Sequence, residues 1–202
     1  MRISVTDLDQ LAYYRQSEDM ELQEIIDRLE RKDFVKSRAM QVGTAWHSVL
    51  ETAIYGDLIS IERDGVRFAV KFDTALELPE LAEVKGEKSY VIDGMEVVLS
   101  GRVDCLTGLL IQDHKATGRP DPERYFESMQ WRAYLTIFGA DVFEYFLWHV
   151  DADKDPVPVL DLHRFKLYRY PDMESDLHYA VSDFVSFARH YLPSWKKDTA
   201  AW

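Results

Sequence analysis

The chain has 202 residues, 47% of them hydrophobic, with nine glycines, seven prolines and a formal net charge of −12. That is enough apolar material for one full core, so a single domain spanning 1–202 is expected. No apolar run reaches about 18 residues, the opening Met-Arg-Ile-Ser-Val-Thr-Asp lacks a hydrophobic leader, and the single cysteine, Cys105, excludes an intrachain disulfide and a four-cysteine iron–sulfur or zinc centre. A soluble, cytoplasmic protein with no membrane partner is the expectation. The acidic balance argues against loose wrapping of nucleic acid, which draws on lysine and arginine. It is compatible with carboxylates concentrated around a cation, and equally with a basic protein partner.

In chain order, Thr6-Asp7-Leu8-Asp9 opens a helix that runs through Gln16, and residues 19–32 carry the apolar spacing and terminal charge bias of an amphipathic helix. A further helix is predicted over 43–55, closed by Gly56. From about residue 59 to 116 the period becomes that of strands, with turn signals at Asp64-Gly65, Lys85-Gly86, Asp93-Gly94 and Thr107-Gly108. Helix returns over 121–138, with Pro120 and Pro122 near its start and Gly139 at its end. Strands over 142–150 and 158–168 and a last helix over 172–191 complete the chain. The expected N-terminal helices thus lie within 5–32, a core over about 40–150, and a final strand and helix over 158–191.

The segment around Thr107-Gly108 carries the chemistry. Residues 95–106 and 109–115 read as a β-hairpin, which sets Asp104 and Asp113 at or near opposite positions on neighbouring strands. Side chains alternate faces along a strand, so Asp113 and Lys115 share one face and His114 takes the other. Like charges directly opposed at about 5 Å repel. A divalent cation between the carboxylates would offset that, and oxygen ligands suit Mg²⁺ or Mn²⁺. Lys115 would then face a phosphate oxygen or orient water. The same residues also fit solvated hairpin charges with Lys115 as a surface ion-pair partner, each pair contributing about 0–1 kcal/mol.

Two helices carry polar groups on apolar stripes. His47, Leu50, Glu51 and Ile54 follow helical spacing. His47 would be a nitrogen ligand with Glu51 orienting it or a second cation, or else a core histidine bonded to its i+4 glutamate. Gln130 and Tyr134 share a face, suited to hydrogen bonding a substrate strand or to an amphipathic boundary. Arg102, Lys115, Arg119, Arg124 and Arg132 form a candidate basic cluster for a phosphate backbone. Trp46, Trp131, Trp148, Tyr145, Phe143 and Phe146 could stack on bases, but read better as core.

Gly43-Thr-Ala-Trp-His47-Ser-Val-Leu-Glu51, Gly101-Arg-Val-Asp104, Ile111-Gln-Asp113-His-Lys115 and Gln130-Trp-Arg-Ala-Tyr134, in that order, resemble the motifs of the RecB-like branch of the PD-(D/E)XK nuclease superfamily. Ile3-Ser-Val-Thr-Asp-Leu resembles the short N-terminal segment of that branch. The resemblance implies an α/β (α+β) fold, a central mixed sheet flanked by helices in an αβββαβ core. It also implies Mg²⁺- or Mn²⁺-dependent hydrolysis of DNA, with His47, Asp104, Asp113 and the backbone carbonyl of His114 as metal ligands. Lys115 would position the attacking water, Glu51 would be a helix acid of the site, and Gln130 and Tyr134, with Arg102 and Arg119, would contact substrate.

With one cysteine the chain departs from branch members that carry an iron–sulfur cluster, and no helicase motif accompanies it. It is similar to small stand-alone exonucleases of phages and mobile elements. That implies a bacterial or phage-infected cell, a role in recombination, repair or phage DNA processing, and a recombination or single-strand-binding partner protein. Two other readings stand beside it: a catalytically silent nuclease-fold module that binds DNA or protein, and an unrelated hydrolase of small phosphates.

Overall fold

The computed structural model describes residues 1–32, 36–54, 61–70 and 81–195. It opens with a strand the sequence pattern does not announce, β1 (Arg2–Ser4). The hydroxyl of Ser4 accepts from the Asp7 amide and caps α1 (Val5–Gln16), which therefore starts one residue before Thr6. Helix α2 covers Leu22–Leu29, less than the expected 19–32. The hydroxyl of Ser17 takes the amides of Asp19 and Met20 into a turn, and Arg31 at φ 55° leaves the helical region. Helix α3 (Arg38–Ile54) starts earlier than residue 43 because the Ser37 hydroxyl accepts from the Met40 amide. Tyr55 and Gly56, expected at its end, lie outside the described residues.

The strands follow as β2 (Glu62–Arg63), β3 (Val66–Val70), β4 (Leu81–Ile92), β5 (Met95–Thr107) and β6 (Leu110–Thr117). Asp64-Gly65 and Asp93-Gly94 have positive φ at both residues, the signature of two-residue hairpin turns. Gly108 at φ +55° turns β5 into β6. Lys85-Gly86 is not a turn. It lies inside β4, where Gly86 pairs with Gly101 and a Cβ would stand 2.7 Å from Ile137 Cγ2. Glycine is there for close approach, not for reversal.

The helix expected over 121–138 is two helices, α4 (Pro122–Phe126) and α5 (Met129–Phe138). Ser128 caps α5, and Asp9 Oδ1 accepts from the Ser128 hydroxyl and the Met129 amide, which fixes the break. Strands β7 (Val142–Val150) and β8 (Val157–Tyr168) and helix α6 (Met173–Tyr191) agree with expectation to within a residue. Among the described residues no helix is long and apolar enough to cross a membrane.

The described strands form one eight-stranded mixed sheet. Strand β4 pairs along the length of β5, so β1 (at 98–100, parallel) and β6 (at 105–107, antiparallel) must share the other edge of β5. Between them, Gly101–Asp104 form a fork. From β6 the sheet continues through parallel β7, antiparallel β8 and parallel β3. The sequence α3-β4-β5-β6-α5-β7 is the αβββαβ arrangement, a mixed sheet flanked by helices.

Helices α1, α5 and α6 cover one face through a core that includes Leu99, Ile111, Phe143, Tyr145 and Phe184. Helix α3 covers the other through Val42, Trp46 and Val49, with Trp46 at 5.0 Å from Phe68 and 5.2 Å from Trp148. Trp46, Trp131, Trp148, Tyr145, Phe143 and Phe146 are all buried. They fill core, at about 1.5–3 kcal/mol for a large apolar side chain.

Candidate active site

The site forms where the β5–β6 ladder stops. Its last pair is Cys105 with Gln112, and one step on Asp104 lies opposite Asp113 without ladder bonds. There the Asp104 carboxylate accepts from the His114 amide at 2.9 Å, a side chain taking the place of a strand. Asp113 is 2% exposed and Lys115 Nζ lies 2.6 Å from its Oδ2, so the two share a face as the alternation requires. Burial pushes the Asp113 carboxyl up to about 6; Lys115 opposes the shift and the nearby Asp104 charge adds to it. Burial works against the Lys115 ammonium, yet Asp113 and Asp104 outweigh it and hold that group above its ordinary range. The carboxylate of this pair is dry while Lys115 keeps 29% of its side chain open toward the cavity beside it, so the pair is more buried than the surface ion pair that the residue pattern also allowed.

His114 points away from the carboxylates. Its Nδ1 accepts from Trp148 Nε1 at 3.1 Å, its ring lies 4.7 Å from that of Phe146, and Nε2 is 3.9 Å from Cys105 Sγ. Burial lowers it to about 4 and raises the Cys105 thiol to about 12, so both pack as neutral groups. The N–H and C=O of a strand residue leave by the same edge. Since the His114 amide enters the fork, its carbonyl faces the fork as well.

From α3, His47 Nδ1 reaches within 3.7 Å of Asp104 Oδ2. Leu50 on the same helix is core, while Glu51 turns toward Glu83 and shares a hydrogen bond with it. Glu83 is the site residue that sequence reasoning missed. It lies on β4 opposite Asp104, at φ 56°, and drops out of a ladder that resumes on either side with Ala82–Cys105 and Val84–Val103. Such a conformation is uncommon for a non-glycine residue and costs on the order of 1 kcal/mol or more. Arg102 Nε stands 2.7 Å from Glu83 Oε2. Burial first, then Asp104 and Glu51, raise the Glu83 carboxyl against the pull of Arg102. Glu83, Asp104 and Asp113 thus form a row of acids across three adjacent strands. Counting back along β4 from the Asp93-Gly94 turn would have found the first.

Tyr134 on α5 packs parallel to Phe143 and adjoins Asp113 and Lys115. Burial and Asp113 raise its hydroxyl to about 12, while a hydrogen bond with Gln130 opposes. Gln130 Oε1 also accepts from the Tyr145 hydroxyl at 3.5 Å. Beside them a cavity of about 260 Å³ opens, lined by Lys115, Gln130, Gln10, Tyr13, Arg28 and Arg124. The basic cluster is only partly assembled. Arg124 lies over the Tyr13 ring in that cavity, and Arg119 is exposed in the loop after β6, its amide bonded to Thr117 Oγ1. Arg132 is committed elsewhere, to the Tyr170 hydroxyl and the carbonyls of Glu127 and Ser128, and does not belong to it.

Asp113 Oδ2 and Glu83 Oε2 are buried, with the Lys115 ammonium at 2.6 Å and the Arg102 guanidinium at 2.7 Å as their charged neighbours. Carboxylate oxygens gathered on three adjacent strands are the donor set that suits a hard cation. Among the described residues no three His, Cys, Asp or Glu side chains form a ready-made cage. The fit is to two carboxylates and a backbone carbonyl, with His47 beside Asp104.

Neither a family model nor a curated protein matches the sequence. Solved structures do match in fold. The chain is similar to SSO0001 at 16% identity and TM-score 0.54, covering 96% of this chain and 80% of that one. It is also similar to an alkaline exonuclease (LHK-Exo) from Laribacter hongkongensis at 15% identity, TM-score 0.50 and coverage of 98% and 93%. A phage-related exonuclease from Haemophilus somnus 129PT matches at 11% identity, TM-score 0.50 and coverage of 98% and 96%. The chain has the fold of these exonucleases.

Proposed function

We propose that the protein is a divalent-metal-dependent DNA nuclease of the RecB-like PD-(D/E)XK type, acting as an exonuclease in DNA recombination, repair or phage DNA processing. The observation that carries the reading is the buried Asp113 carboxylate, paired with Lys115 and set against Asp104 at the strand fork. The exonuclease fold of the two named neighbours supports it.

Asp104, Asp113 and the His114 carbonyl would hold Mg²⁺ or Mn²⁺, with His47 as a further ligand. The bound ion would supply Lewis acidity and lower the pKa of the attacking water. Lys115, kept charged by the two carboxylates, would direct its ammonium to the scissile phosphate and offset charge that develops there. Tyr134 and Gln130 would brace Lys115 against the substrate strand, and Glu51 would hold Glu83 at the edge of the acid row. Arg102 and Arg119 would contact phosphates. A DNA end is the expected substrate, and a recombination or single-strand-binding protein the expected partner.

The test compares end-labelled linear, circular and single-stranded DNA with Mg²⁺ or Mn²⁺. Linear substrates should be cut, with Asp113→Ala and Lys115→Ala each slowing cleavage by about 10³-fold or more, as loss of a preorganised charge in a dry site does. Intact DNA under every condition, or full activity in either variant, would sink the assignment. Chelator-insensitive binding without cleavage would favour the silent binding module instead.

A further inference from the structure

The face of the sheet opposite α1, α5 and α6 is covered by α3 only over β6 and β7 and their neighbours. Over β1, β5 and β4 no helix of the described residues covers it. Ile3, Leu99 and Gly101 face the core helices, so by alternation Arg2, Ser4, Ser100, Arg102, Lys85 and Glu87 all face outward together. They line a groove of about 630 Å³ whose inner end is formed by Arg102 and Tyr134. Behind it, Gly86 and Gly101 pair across the strands and turn toward the core helices: a Cβ on Gly101 would lie 2.5 Å from Tyr134 Cε1 and 2.8 Å from Val5 Cγ2, so glycine there lets α5 close on the back of the groove.

We infer that this groove is the track for a single strand of DNA leading to or from the acid row, with Arg2, Lys85 and Arg102 as its phosphate contacts and the Ser4, Thr6 and Ser100 hydroxyls between them. The inference rests on the nuclease reading and adds the strand type and its path. Three considerations carry it. The groove is continuous with the site: Arg102 touches Glu83, and Tyr134 adjoins Asp113 and Lys115. Its cations are available. Among the described residues Lys85 forms no ion pair, and the Arg2–Glu87 contact sits on open side chains, where such a pair is held by about 0–1 kcal/mol and exchanges readily for phosphate, while Arg102, paired through Nε with the more buried Glu83, keeps 59% of its side chain exposed. Finally, Lys85 and Arg102 pair directly across β4 and β5 and Arg2 lies on β1 beside position 98, a short cationic strip on a chain of net charge −12 that matches a short run of one backbone, whereas a duplex presents two.

The experiment measures fluorescence anisotropy of a labelled oligo-dT strand in Ca²⁺ or chelator, over a salt series, for wild type, Arg2→Glu, Lys85→Glu and the double variant. Lys166→Glu, on β8 across the sheet, serves as control. Each groove reversal should weaken binding by about tenfold and lower the salt slope by about 0.7 or more, one phosphate contact on a single strand. The side chains are exposed, so melting temperatures should match wild type. Groove reversals that leave affinity and slope unchanged, or a Lys166→Glu loss equal to theirs, would overturn the groove while leaving the nuclease reading intact. Preferential loss of blunt-duplex binding would overturn its single-strand assignment. A wild-type protein that neither binds nor cuts DNA would overturn both readings together.

Discussion

Asp113 is a carboxylate kept almost dry, and its proton competes with any cation for the same two oxygens. With its pKa raised to about 6, the group is protonated below that pH and free to bind above it. Cation affinity should therefore rise with pH through about 6. In the metal-free protein the sign is opposite: the raised carboxyl contributes stability below its unfolded value near 4, and that contribution is lost as pH climbs through 6. At about 100 times its dissociation constant, Mn²⁺ should add about 2.7 kcal/mol, or roughly 5–10 °C of melting temperature for a chain of this size. That shift should be present at pH 8, shrink toward pH 5 and vanish in Asp113→Asn; an equal shift at both pH values would contradict it. Asp104 has a second duty, as acceptor for the His114 amide. Asp104→Ala should cost about 1–3 kcal/mol by leaving a buried N–H unpaired, whereas Asp104→Asn keeps an acceptor and should lose activity with a smaller change in urea unfolding. The hairpin residues were readable because turn and alternation act within a dozen positions. Arg132 was misread because its partner Tyr170 lies 38 residues away, beyond the reach of any spacing argument.

Elements meet most closely at the cross-strand glycines. Gly101→Ala would drive a methyl into Tyr134 and Val5, so it should destabilise by about 1–3 kcal/mol and displace Tyr134 from Lys115. Gly43→Ala in α3 meets nothing within 4 Å and should stabilise by about 0.5–1 kcal/mol. Chemical denaturation of both variants checks the pair, and a neutral Gly101→Ala would show that α5 can give way. Apart from β1, helix and strand types were legible across the described residues, since the change from helical to alternating period is strong. Boundaries were less so. Ser37 and Ser128 act as caps through hydroxyl bonds that composition alone does not reveal, and Ser128 needed Asp9, 119 residues earlier, to fix the break between α4 and α5. Lys85-Gly86 looked like a turn because glycine serves both reversal and close approach, and α5 alone distinguishes them.

Across the whole molecule, charge and topology answer different questions. The net charge of −12 describes the surface as a whole and says little of the open face, where Arg2, Lys85 and Arg102 gather. Topology explains why distant motifs converge. Helix α3 brings His47 and Glu51 to one side of the fork, and α5 brings Gln130 and Tyr134 to the other. The acid row itself is local: Glu83, Asp104 and Asp113 fall on three successive strands joined by two tight turns. Short loops close at little entropic cost and local contacts form fast. The three carboxylates should thus be neighbours in the folding transition state, before α3 docks with its histidine. Gly94→Ala and Gly108→Ala, which strain those turns at φ +78° and +55°, should slow refolding. Val49→Ala in α3 should chiefly speed unfolding, so stopped-flow measurements on these variants would separate the two stages. The mutual repulsion of the acids would then be met early in folding, which makes Lys115 and Arg102, carried on the same strands, the cations that let the hairpins form at all.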